Sequence, residues 1–464
     1  MSSESLLARR RATAAAPSAK DSTIFRPIHY LGSKLRIIDA IKDAVNRIDP
    51  SHQPVCDLFA GSGTVSLALS QTRPTTAVDI QEYSRVLCSA LLQPPNLYTT
   101  DLPILFHQAR DSRHAEMLSW ATGPLVAHEA SCIKQARDGR FESLCDLIEH
   151  GSPIAFQLGT STARNPALRK ALGEFSRRLQ KAKLSDHPGV LATRYFGGVY
   201  FSYAQATALD CLLEAIHKTN PAIQTTLLAA ALSTTSDIVN TVGRQFAQPI
   251  RPRATDGVPK RHLVAKCCAD RELDVFTAYE RWFTRYQSLR PTRKTNEIIR
   301  GDFADVLNGD RLKRIKVVYA DPPYTRDHYS RYYHVLETIC LRDNPEISTV
   351  ASSAGRVASR GIYRLERHQS PFCIKSKAPA AFESLFSGVR RLNASLIVSY
   401  SPFVENSKAR PRLMTINRLQ ALARQYFSKV KLESVTGIAH SKLNTTGLNT
   451  TISRDAEILL LCQP

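Results

Sequence analysis

The stretch "PVCDLFAGSGTVSLALSQTRPTTAVDI", Pro54–Ile80, decides the fold. It reads as a strand through "PVCDLF", a glycine loop at "AGSG", a helix over "TVSLALSQ" and a second strand through "TTAVDI" that ends at Asp79, the β-loop-α-β order of a parallel sheet. Glycines let the backbone approach a ligand closely at a strand's carboxyl edge, and an acid closing the next strand accepts both hydroxyls of a ribose, so the pattern asks for an adenosine-bearing ligand. Val65 and Ser66 follow Gly63, so this is not the full G-x-G-x-x-G of a dinucleotide fold, and the G-K-[ST] of a phosphate-binding loop is absent. A bare G-x-G is also an ordinary turn. Asp57 before it and Asp79 after it set this one apart.

A second stretch, "VVYADPPYTRDHYSRYYHVLETI" from Val317, runs from an apolar strand straight into Asp321, Pro322, Pro323 and Tyr324. Proline has no N–H for a ladder and a fixed φ, so two in a row end the strand in a stiff corner that aims its carbonyls in set directions. Further strands are expected at "IKVVYA", "SLIVSY" and "AEILLL". A crossover helix over "YYHVLETIC" would carry Tyr332, Leu336, Ile339 and Cys340 on one face. Between the two regions the patterns are mostly helical. "SYAQATALDCLLEAIHK" has a Ser202 to Gln205 capping box and an apolar stripe at Leu209, Leu212, Leu213 and Ile216. The expected architecture is α/β, a Rossmann-like sheet interrupted by a largely helical insertion. Its parts are a disordered basic arm at 1–24, a first core segment at 25–82, the insertion at 83–296 and a second core segment at 297–464.

Bulk properties narrow the partner. The chain has 464 residues, 43% of them hydrophobic, enough for a sizeable core, and a formal net charge of +21 that points to a polyanion. A membrane surface is the weaker choice, because the longest apolar run, "TTLLAAALSTTSDIV" from Thr225, is short and broken by polar residues. The ten cysteines show no C-x-x-C and there is no H-E-x-x-H, so neither a metal site nor a disulfide framework is suggested, and the thiols read as core residues of a reducing cytosol.

"DLFAGSG" followed by "DPPY" resembles the class I S-adenosylmethionine-dependent methyltransferases that act on an exocyclic amino group, and "HYLGSK" upstream is similar to the Dam-like DNA adenine methylases. The resemblance implies a cofactor site built from Tyr30, Gly32, Ser33 and Lys34 in the "Y-x-G-S-K" motif, Asp57, Phe59, Ala60, Gly61, Gly63 and Thr64 in the glycine loop, Asp79 on the ribose, Asp302 and Phe303 in "IIRGDFADVL" at the cofactor's adenine, and Asp321. It implies catalysis by Asp321, Pro322, Pro323 and Tyr324. S-adenosylmethionine is the implied cofactor, with no metal. The long interval holding "RYFGGVYFSYAQ", "NTVGRQFAQPIRPR" and "VPKRHLVAK" departs from the short Dam enzymes and leaves the target sequence open.

An adenine amino group is a poor nucleophile because its lone pair is delocalised into the ring. Hydrogen bonds from its two N–H groups to the Asp321 carboxylate and the Pro322 carbonyl favour a pyramidal nitrogen aimed at a methyl sulfonium, while Tyr324 stacks on the ring. The expected partner is double-stranded DNA, with the target base flipped out and Arg251, Arg253, Lys260, Arg261 and Lys266 on phosphates or base edges. The polar loop "HSKLNTTGLNTTISR", His440–Arg454, is a second candidate for closing over substrate. The expected setting is a bacterial, nucleoid-associated cytoplasmic enzyme, partnered in restriction-modification or phage defence by an endonuclease or another defence protein. Two other readings keep these residues: an RNA adenine or cytosine-amino methyltransferase of the same fold, and a non-catalytic DNA-binding relative.

Overall fold

A computed structural model describes residues 25–30, 32, 34–323, 329–352, 355–401, 413–435 and 457–464. The arm at 1–24, Ser33, Tyr324 and the loop from His440 to Arg454 lie outside the described residues. Seven strands form the main sheet: β1 (Val55–Asp57), β2 (Thr75–Asp79), β3 (Glu297–Arg300), β4 (Val317–Ala320), then, beyond a separate two-stranded ribbon of β5 (Thr349–Ser352) and β6 (Gly355–Ala358), β7 (Ser395–Tyr400), β8 (Lys429–Val435) and β9 (Glu457–Gln463). Their order is β3-β2-β1-β4-β7-β9-β8, with β3 to β7 parallel and β9 reversed against both neighbours. This is the class I methyltransferase fold.

The strands read from sequence are present; the ribbon β5 and β6 was not read, nor were two strands of the main sheet. β3 is four residues, "EIIR", too short for a period to show, and β8, "KVKLESV", is a half-exposed edge strand whose alternation is mostly polar. Burial on both faces explains the near-continuous apolar runs of the central strands. Cys56, Val318, Leu396, Val398 and Leu460 pack into one layer with the helices Ala378–Arg391 and Ile416–Ala423; Val55, Val317, Tyr319, Ile397 and Leu459 pack into the other with the helix Ile38–Ile48. The alternation by one residue is the strand's period of two.

Sheet order sets the location of the site. From β1 the chain winds outward to β2 and β3 on one side, and β4 and β7 continue on the other, so the crevice at the carboxyl ends of β1 and β4 is the topological switch point of the sheet. Asp57 pairs in register with Tyr319 and Asp79 with Arg300, which brings Asp57, Asp79, Asp302 and Asp321 to one edge. The helix Glu82–Leu92 follows β2 and packs on both parts, with Cys88 and Leu92 against Ala60 and Ala77 of the sheet side and Val86, Leu87 and Leu91 in the core of the helical region. Its first amides, at Glu82 and Tyr83, both donate at 3.0 Å to the Glu337 carboxylate on the crossover helix His334–Leu341. Among the described residues, no helix is long and apolar enough to cross a membrane. All ten cysteines are free, and all but Cys340 are buried.

The helical region between β2 and β3 has its own buried polar centre. The capping box is formed as read, with Ser202 Oγ accepting from the Gln205 amide and Gln205 Oε1 accepting from the Ser202 amide. Beside it Arg271, with a fully buried side chain, is ion-paired to Glu129 and donates to the Gly198 carbonyl at 2.8 Å, while Glu129 Oε2 accepts from the Tyr203 amide at 2.7 Å. The "RYFGGVYFSYAQ" segment is thus the scaffold of the insertion. Removing one partner of a buried pair leaves an unmet charge, so Arg271→Met should cost on the order of 3–5 kcal/mol. Urea unfolding checks this: Arg271→Met combined with Glu129→Gln should recover part of the loss, and a double variant no more stable than the single would contradict the assignment.

Candidate active site

The glycine loop and β2 define one wall of a cleft. Asp79 is held rigidly at the end of β2: Oδ2 accepts from the Gly61 amide and Oδ1 from the Gln81 amide, both at 2.9 Å. Each carboxylate oxygen has a further lone-pair direction, so a bound diol can still be met by both. Gly61 sits at φ +52°, and a Cβ there would stand 2.6 Å from the Tyr30 hydroxyl; Gly32, at φ +74°, has Tyr329 equally close. Both positions therefore demand glycine, and both serve to let tyrosine rings lie against the loop. Tyr30 stacks on Tyr333 with centroids 4.9 Å apart, and Tyr329 and Tyr83 complete the aromatic wall.

The cleft, about 780 Å³ including the solvent at its opening, is lined by Tyr30, Phe59, Asp79, Asp302, Phe303, Asp321 and Pro323 from the residues read in the sequence. Leu58, Ile80, Gln81, Tyr83, Gly301, Tyr329, Ser330, His368 and Ser370 also line it. Phe59 and Phe303, 5.6 Å apart and tilted by 38°, give an apolar wall beside the Asp302 carboxylate, which also caps the helix Phe303–Asn308 by accepting from the Ala304 amide. Ala60, Gly63 and Thr64 lie behind the loop rather than on the cleft; the Ala60 amide donates to the Val78 carbonyl and the Gly63 amide to the Ala60 carbonyl. His368 comes from the segment after the ribbon, and burial pushes its pKa down against the opposing fields of Asp302 and Asp79. No motif announced it.

Lys34, read in the sequence as a cofactor residue, meets two carboxylates of the protein. Its ammonium, 10% exposed, lies 3.0 Å from Asp321 Oδ1 and 3.3 Å from Glu457 Oε1 at the start of β9. Burial raises the Asp321 pKa, Lys34 opposes the rise and Glu457 adds to it, leaving the group at about 6. Glu457, itself buried, also accepts from Ser399 Oγ at 2.7 Å.

Asp57 is 1% exposed; Ser66 Oγ donates to its Oδ2 at 2.6 Å, and its Oδ1 has no partner among the described residues. Burial raises its pKa to about 7, with the fields of Asp321 and Asp79 adding to the rise. A buried unmatched acceptor among three carboxylates, a rigid acid and an apolar slot fit a ligand that carries positive charge, a diol and a flat base. That is the chemistry of S-adenosylmethionine.

Of the cations expected on DNA, Arg253 is held by Glu142, Asp146 and Glu149, and Lys266 by Asp270. Their charge is already met. Arg251 and Arg261 are exposed and Lys260 is half-buried.

Residues 30–116 and 275–370 match the family model of the D12 class N6 adenine-specific DNA methyltransferases. Every residue lining the cleft falls within these two segments. Over 110 residues it is 38% identical to the modification methylase LlaI of Lactococcus lactis subsp. lactis. That stretch is 24% of this chain and 14% of the relative, so only about a seventh of the relative's length is matched.

The raised Asp57 pKa has a stability consequence. The folded protein keeps a proton that the unfolded chain releases near pH 4, so this group's contribution falls as pH rises from about 4 to about 7 and is constant above. Asp57→Asn removes that dependence. The variant should gain on the parent progressively across the window, by at most about 4 kcal/mol. Denaturation midpoints that differ by the same amount at every pH would contradict it.

Proposed function

We propose that the protein is a site-specific DNA methyltransferase that transfers a methyl group from S-adenosylmethionine to the exocyclic N6 of adenine in duplex DNA. The observation that carries this reading is that one cleft is lined by both Asp79, fixed by two amides, and Asp321, ion-paired through Oδ1 to the half-buried Lys34. Tyr30, Phe59, Asp79, Asp302 and Phe303 would hold the cofactor's adenosine part, and Asp57 and the loop would meet its charged end. When bound, the cofactor supplies an electrophilic methyl group on a sulfonium.

The protein's own groups act on the base. Lys34 keeps Asp321 ionised near neutral pH, so its carboxylate accepts one amino N–H of adenine while the Pro322 carbonyl accepts the other. Both bonds favour a pyramidal nitrogen, and both strengthen as positive charge builds on it. Asp321 orients and polarises, and with a pKa near 6 it can receive the proton the nitrogen sheds after transfer. In-line positioning supplies much of the rate, and the stiff double proline provides it. Tyr324 is assigned the stacking role. Reaching a paired base requires its extrusion, at a cost of a few kcal/mol.

The likeness to a modification methylase supports a modification role, which we place in a restriction or phage-defence system of a bacterial cytoplasm, at the nucleoid, with a cognate endonuclease or other defence protein as partner. DNA from cells expressing the protein, read for modified bases, tests the reading: N6-methyladenine at one short sequence is expected, and it should vanish with Asp321→Ala. Calorimetry should find S-adenosylmethionine affinity within a few-fold of the parent in Asp321→Ala and reduced by on the order of tenfold to a hundredfold in Asp79→Ala, the loss of hydrogen bonds to a charged group. Methylcytosine, or adenine methylation that persists in Asp321→Ala, would overturn the assignment.

A further inference from the structure

The arginines around the segment 355–370 fall into two kinds. Arg364 is fully engaged, with Nη1 and Nη2 donating to the two oxygens of Asp343 at 2.6 and 2.5 Å. Arg331, Arg360 and Arg367 have no carboxylate partner among the described residues. The Arg331 guanidinium lies over the Tyr363 ring at 4.5 Å and donates to its hydroxyl at 3.3 Å; that of Arg367 is 5.8 Å from the same ring and donates to the Arg364 carbonyl at 3.3 Å. Arg360 donates to the Ile250 carbonyl, next to exposed Arg251.

These groups repel one another. Arg251 opposes the charge on Arg360, and Arg331 opposes that on Arg367, in addition to burial. Glu149, whose field reaches Arg360, is already bound to Arg253. The Nε atoms of Arg360 and Arg367 are buried with no hydrogen-bond partner among the described residues. Gathering cations without counter-charge is unfavourable unless an anion meets them.

Their platform is rigid and adjoins the cleft. Tyr363 donates to the Ala247 carbonyl, and Tyr200 donates to the carbonyls of Gly361 at 3.1 Å and Phe246 at 2.5 Å. Ser330 and His368 line the cleft, Ser330 Oγ donates to the His368 carbonyl at 2.6 Å, and each is the chain neighbour of one of the arginines. We propose that Arg331, Arg360 and Arg367, with Arg251 at the edge, form the surface that grips the phosphodiester backbone of DNA beside the cleft. The inference rests on DNA as the substrate. Phosphates next to an extruded base must be held while pairing is lost, and guanidinium groups meet phosphate oxygens in paired geometry.

The test is fluorescence anisotropy of a labelled, mixed-sequence DNA duplex titrated with the full chain across a range of salt. In Arg331→Gln/Arg360→Gln/Arg367→Gln the slope of log affinity against log salt should flatten by about 0.9 for each phosphate no longer neutralised, about 2.7 in all. Exposed Arg331→Gln alone should flatten it by about 0.9, which keeps the proposal testable if the triple variant folds poorly. Arg169→Gln/Lys170→Gln, exposed on the insertion, should keep the parent slope. Unchanged slopes in the Arg331 variants, or equal flattening in the Arg169 and Lys170 pair, would overturn the proposal. A parent that binds S-adenosylmethionine but leaves DNA unmethylated would instead sink the methyltransferase reading, and the salt slopes would still judge the arginines.

Discussion

Lys34 holds the site together. Its ammonium sits between the carboxylate that ends β4 and the one that begins β9, joining segments nearly three hundred residues apart on one side and over a hundred on the other. A buried ion pair is costly to desolvate, and two acids around one base leave a formal excess of negative charge. Asp57 and Asp79 stand in the same field, and burial raises both their pKa values, so their charge is disfavoured until a cation meets it. The arrangement is electrostatically unfinished without a cation. A positively charged cofactor would complete it, so the tension in the protein alone is tied to what the cleft is built to take.

The sheet makes this concentration of charge geometrically available. Parallel strands deliver their carboxyl ends to one edge, and the reversal of winding between β1 and β4 opens the crevice there. The reversed strand β9 contributes its amino end to the same edge, which is how Glu457 reaches Lys34. Part of the helical insertion packs on its own around Arg271 and Glu129, while its helices Tyr203–His217, Pro221–Ile238 and Val275–Gln287 share a hydrophobic core with Tyr83, Tyr333 and Leu336 beside the cleft. The aromatic wall of the cleft is thus supported from the insertion.

Much of this was legible because it is local. The β-loop-α-β unit, the capping box at Ser202 and the acids at 57, 79 and 321 each announce themselves within a few residues through turn chemistry and period. What was not legible depends on distant partners. Nothing in "VPKRHLVAK" or "IRPR" reveals that the helix Glu142–His150 presents three acids to Arg253. Likewise nothing around Lys34 in the chain reveals that Asp321 and Glu457 are folded against it. His368 and Ser330 line the cleft from segments with no motif, and Arg331, Arg360 and Arg367 are distinguished from Arg364 only by the position of Asp343. Periodicity reports burial, and it is silent on which charge meets which.

The most direct test of the account is the acid limb of the methylation rate. Only ionised Asp321 accepts the amino N–H, so kcat/KM should fall below about pH 6 in the parent. Lys34 favours the ionised form, so Lys34→Met should move the midpoint of that limb to higher pH, whatever it does to the maximal rate. A midpoint that stays where it was, or moves down, would contradict the claim that Lys34 keeps Asp321 charged for catalysis.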